Sequence, residues 1–84
     1  METKTLRERF ETLKEELYNY VLTNTYEILN YDYEMKFKSA NKIVNDVWEY
    51  IDNWQKESGY FIDDKELEKL VHGLIETIDK IAFN

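Results

Sequence analysis

Between Phe37 and Trp54 apolar residues recur at Phe37, Ala40, Val44, Val47, Ile51 and Trp54, in steps of three, four, three, four and three. That rhythm tracks the ~3.6-residue turn of an α-helix and sets all six side chains on one face. Ile43 and Trp48 stand on the two shoulders of the stripe and widen it past the seam of a two-stranded coiled coil. A face this broad predicts a core helix, and the rest of the chain must pack around it.

Turn chemistry is scarce. Proline is absent, the two glycines are Gly59 and Gly73, and no Asn-Gly or Asp-Gly pair marks a hairpin. A mostly helical fold is the consequence. The chain has 84 residues, 43% hydrophobic and 15% aromatic, which predicts a single helical domain over residues 1–84 with a small core. Its aromatic side chains, each able to bury about 150–250 Å², compensate for that size. Without cysteine, neither a disulfide nor a thiolate zinc site can staple the fold. No apolar run approaches the ~20 residues of a membrane span, and the start, Met1 to Thr5, lacks a signal peptide's apolar core. The expectation is a soluble cytoplasmic protein that does not engage membranes.

The first helix is predicted from Leu6, Phe10, Leu13, Leu17 and Tyr20, with Val21 beside the last of them. Thr5 and Glu8 fit a capping box at its start, with Thr3 as the alternative cap. Thr23-Asn24-Thr25 is its weak point. The helix either runs on, with Asn24, Ile28 and Tyr31 extending the stripe, or stops with Asn24 in the left-handed conformation. Tyr31, Tyr33, Met35 and Phe37 then alternate with charged residues at a period of two, the signature of a strand. Such a strand needs a partner, and Tyr60-Phe61-Ile62 is the only candidate. Residues 23–34 are therefore read as an irregular connection or helix entry, with a short two-stranded pairing of 31–37 and 60–62 as the alternative.

The central helix is expected to end near Glu57, where Gly59 suits the left-handed position after it. Asp63 is the expected cap of a third helix, with Glu66 placed to reach back and Ile62 placed to staple onto Leu67. Its stripe is Leu67, Leu70, Val71, Leu74, Ile75, Ile78 and Ile81, with Phe83 near the end. Three amphipathic helices with short links predict an all-α three-helix bundle.

Candidate chemistry is thin. The one histidine, His72, falls off the apolar stripe of its helix, so neither a metal site nor a general base is expected. Adjacent acids such as Asp63-Asp64 point apart on a helix. Gly59 to Asp63 echoes part of a calcium loop, but its ligand positions would fall on Trp54, Lys56, Ser58 and Lys65. Ser39 and Ser58 lack the Asp-Ser-Leu context of an acyl carrier protein. Neither an enzyme nor a cofactor is expected.

The surface is more informative. Eleven basic and eighteen acidic residues leave a net charge of −7, which disfavours direct binding to nucleic acid. Acids are in excess from residue 23 onward. Asp46, Glu49, Asp52 and Glu57 mark the outer side of the central helix, offset by Lys56, and Asp63 and Asp64 follow at the start of the third. Carboxylates one turn apart lie ~5–6 Å from each other, on the order of the phosphate spacing along a nucleic-acid strand. Trp48 and Tyr18 are the aromatic anchors expected beside them, since Trp and Tyr are enriched at binding hot spots.

These residues predict a protein-binding inhibitor, with Asp46, Glu49, Asp52, Glu57, Asp63, Asp64, Trp48 and Tyr18 against a partner's basic nucleic-acid-binding surface. Asn, Lys, Ile and Tyr are plentiful beside two Arg, a composition that suits an AT-rich genome. In type only, a tiny acidic helical chain of this composition resembles the small antagonists that phages and mobile elements direct at host nucleic-acid-binding enzymes, anti-CRISPR proteins among them. No motif carries that resemblance. The alternative is an assembly, immunity or antitoxin-type module that pairs with itself or with a partner through apolar helix faces.

Overall fold

The structure, a computed structural model, describes residues 5–84. Its elements are α1 (Leu6–Glu27), α2 (Tyr33–Ser58) and α3 (Asp64–Ala82). They form an all-α three-helix bundle of 46 × 26 × 18 Å, in which α1 makes its closest packing with α3.

Thr5 caps α1: its Oγ1 accepts the Glu8 backbone N–H at 3.1 Å, and its hydroxyl donates to the Glu8 carboxylate at 3.2 Å. The alternative cap, Thr3, and the rest of the chain's start lie outside the described residues. The helix runs through Thr23-Asn24-Thr25 without a break. Asn24 stays helical and donates its side-chain amide to the Tyr20 carbonyl at 2.7 Å. The buried row is Phe10, Leu13, Leu17, Val21 and Thr25, followed by Ile28 in the connection. Leu6, Tyr20 and Tyr31, assigned to that stripe from sequence, are exposed. From Leu13 to Thr25 every step is four residues, so the buried row drifts around α1 and passes through Val21 instead of Tyr20.

The strand alternative for residues 31–37 is replaced by helix. Asp32 accepts the Met35 N–H at 2.9 Å and starts α2 at Tyr33, and the described residues contain no strand. A local cap satisfies this backbone at once, whereas a strand would have needed a distant partner. Along α2 the core is made by Ala40, Ile43, Val47 and Ile51, with Val44 and Trp54 packed partly against it. Phe37 is exposed, because that edge of the stripe lies over the seam between α2 and α3, the helix pair that meets least. Ile43, the shoulder residue on the α1 side, takes its place inside.

Gly59 ends α2 with φ of 74°, and its N–H reaches the Gln55 carbonyl at 2.9 Å. The same Gln55 accepts the N–H of buried Ile62 on Oε1 at 2.8 Å, which ties the link between α2 and α3 to the helix before it. Asp63 caps α3 by accepting from the Lys65 N–H at 3.2 Å. Glu66 does not fold back as the capping box predicts. It accepts from Arg7 Nη1 at 3.0 Å and so joins α3 to α1, a bond that raises the Arg7 pKa. Leu70, Val71, Leu74, Ile78 and Ala82 form the buried face of α3, while Ile75 is exposed. Leu13, Leu17 and Leu74 are each 1% exposed, and truncating any of them to Ala should cost about 2–5 kcal/mol.

Candidate protein-binding surface

Glu16 and Tyr20 are four residues apart on α1, and Asp46 and Tyr50 are four apart on α2. That spacing brings each acid and its tyrosine onto one face of its own helix. The antiparallel packing of α1 and α2 then pairs them crosswise. Tyr20 donates its hydroxyl to Asp46 Oδ2 at 2.8 Å, and Tyr50 donates to Glu16 Oε2 at 2.7 Å. Partial burial and the bond to Asp46 hold the Tyr20 phenol above its ordinary pKa, and at Tyr50 the bond to Glu16 is the larger cause.

Between these ties lies a groove of about 480 Å³, lined also by Leu17, Glu49 and Asn53. Three carboxylates, Glu16, Asp46 and Glu49, open onto it, and among the described residues no Lys or Arg lines it. Among the described residues none of the three carboxylates forms an ion pair with Lys or Arg. A carboxylate has about four acceptor positions, so Glu16 and Asp46 can bind further donors after the tyrosines. An ammonium or guanidinium group is the natural guest.

The sequence-predicted residues fall on different faces. Asp46 and Glu49 share the groove between α1 and α2, and Glu57 lines an adjoining recess with Glu16 and Arg9. Asp52 is exposed and pairs with Lys56 at 3.1 Å. Asp63 is occupied as the α3 cap. Trp48 and Asp64 line one recess between α2 and α3, on the other side of α2. Tyr18 is half-buried against the core, and its hydroxyl lies over Gly73 of α3. Sequence reasoning missed Glu16, Tyr20 and Tyr50. The signal for them was the repeated acid-to-tyrosine spacing, Glu16 to Tyr20 and Asp46 to Tyr50.

His72 is exposed, 3.4 Å from Glu76. Among the described residues no cluster of three His, Cys, Asp or Glu side chains is placed to hold a metal, and no helix is long and apolar enough to cross a membrane. No family model, curated protein or solved structure matches this chain.

Proposed function

We propose that this chain is a small acidic protein-binding module that blocks a partner by occupying its basic, nucleic-acid-binding surface. The observation that carries the reading is the groove between α1 and α2, where Glu16, Asp46 and Glu49 stand together with no neutralising Lys or Arg among the described residues. Tyr20 and Tyr50 wall the groove and hold two of the three carboxylates in place. Preset carboxylates cost little to order on binding, and rigid tyrosines add contact area. A surplus of seven negative charges steers a basic partner toward this face. Inhibition of this kind is steric and electrostatic, without turnover, of the sort a phage or mobile element directs at a host enzyme.

The test is charge reversal. The Asp46→Lys/Glu49→Lys variant should lose partner binding while its helical circular dichroism persists. Raising the salt should release the wild-type chain, because exposed charges are screened within about 8 Å at physiological ionic strength. Unchanged affinity in the variant would reject the reading.

A second reading, a module that binds through apolar helix faces, has one observation in its favour. The seam between α2 and α3 leaves Tyr33, Phe37 and Ile75 exposed.

A further inference from the structure

α2 and α3 approach each other least of the three helix pairs, and the seam between them is an open groove. Two recesses, of about 600 and 310 Å³, lie along it, with Ile75 in the lining of both. Large apolar side chains line the groove: Tyr33 is 74% exposed, Phe37 53%, Trp48 44% and Ile75 43%. At one end Tyr33 stacks on Phe37 with ring centres 6.5 Å apart and meets Phe83 edge-on at 6.0 Å. The residues of α3 that line the two recesses run from Leu67 to Phe83, about 24 Å at ~1.5 Å per residue. That is the length of about four turns of a docked helix.

Its rim is mostly acidic, with His72 beside the carboxylates of the smaller recess. Asp64, Glu68 and Asp79 line the two recesses, and among the described residues no Lys or Arg lines either. Among the described residues none of these three carboxylates is ion-paired. Lys36, beside Phe83, is committed to the Ala82 carbonyl at 3.0 Å.

We propose that this groove receives a basic amphipathic helix of a partner protein. The helix lays its apolar stripe along Tyr33, Phe37, Ile75 and Trp48, and its flanking Lys and Arg face Asp64, Glu68 and Asp79. The docked helix completes a four-helix bundle, a geometry in which anchors every three or four residues fill an apolar groove. Charge selects this occupant over a second copy of the chain. Two copies face to face would bring their acidic rims together on molecules that each carry −7. A neutral helix would take water from the rim carboxylates and offer no donor in return. This site lies on the opposite side of α2 from the Glu16, Asp46 and Glu49 groove and does not depend on it.

The test uses the full chain and a fluorescein-labelled Leu/Lys helix of about 18 residues, with leucines at i, i+4, i+7 and i+11. One control replaces its lysines with glutamates, and another scrambles the order. Fluorescence anisotropy should show the Leu/Lys helix binding at least about tenfold more tightly than either control. Phe37→Asp and Ile75→Asp, at exposed positions, should each weaken it about tenfold with helical circular dichroism intact, as should Asp64→Lys/Glu68→Lys. Asp64→Lys/Glu68→Lys should weaken it more than Asp46→Lys/Glu49→Lys, a variant of equal net charge whose changes lie outside the groove. Equal binding of the Leu/Lys helix and either control, or equal binding to wild type and all three groove variants, would overturn the proposal. So would a sedimenting dimer that Ile75→Asp dissolves, since a second copy would then be the occupant.

Discussion

The hydroxyl of Tyr18 on α1 occupies the place where a β-carbon would stand on Gly73 of α3. A glycine inside a helix normally costs about 1 kcal/mol relative to alanine, so its presence there needs a cause. Tyr18 supplies it: the glycine lets the phenol cross α3 on the face where α1 and α3 pack most closely. Gly73→Ala alone should therefore fail to stabilise the protein. Removing the hydroxyl leaves the nearest ring carbon 3.6 Å from the new methyl, an ordinary contact. In a Tyr18→Phe background the same Gly73→Ala change should stabilise by about 1 kcal/mol. Urea denaturation of the four proteins of this double-mutant cycle measures the coupling, and additivity would contradict the packing described.

Gly59 poses the opposite problem, since a β-carbon there would meet nothing within 4 Å and the constraint is its φ of 74°. Gly59→Ala should cost about 1–2 kcal/mol through backbone strain alone. Gly59→Asn should cost less, because asparagine tolerates the left-handed region better. Thermal melts of the two variants would rank them.

Thr25 is fully buried, and its Oγ1 has no hydrogen-bond partner among the described residues. A buried hydroxyl left unpaired costs ~1–3 kcal/mol. Thr25→Val keeps the shape and removes the polar atom, so it should stabilise the bundle by about 1 kcal/mol. A loss of stability on denaturation would show that the hydroxyl has a partner after all.

Tyr20 and Tyr50 donate to carboxylates, and both phenols are held above the ordinary value of 10.0. A pKa raised in the folded state marks stability that is fully present below the unfolded pKa and lost as the pH climbs through the folded one. The contribution of these two groups should therefore be constant through neutral pH and disappear in strong alkali, above pH 10. Tyrosinate absorbance should show Tyr20 and Tyr50 ionising above the ordinary phenol range. Each of Tyr20→Phe and Tyr50→Phe should remove one late step. A titration whose alkaline end is unchanged by both substitutions would contradict the cross-ties.

The three helices were legible because each carries its own apolar period and at least one local boundary signal: Thr5 before Glu8, Gly59, and Asp63 before the α3 stripe. The cap at Asp32 was obscured, since Tyr31, Tyr33, Met35 and Phe37 spell a strand period across the same residues. Helical phase states which side chains share a face but not which edge the neighbouring helix covers. For that reason Phe37 was assigned to the core and Ile43 to its shoulder. The candidate surface shows the same limit. Asp46 and Glu49 stood out on their own helix, but Glu16, Tyr20 and Tyr50 join them only through the register of α1 against α2, which no local period encodes.

The most direct measurement of the central claim is a paired pull-down, with wild type and Asp46→Lys/Glu49→Lys as baits, washed at low and then high salt and read by mass spectrometry. The account predicts a basic nucleic-acid-binding protein that is held by the wild type at low salt, released at high salt, and absent from the variant. A partner held equally by both baits, or unmoved by salt, would contradict it.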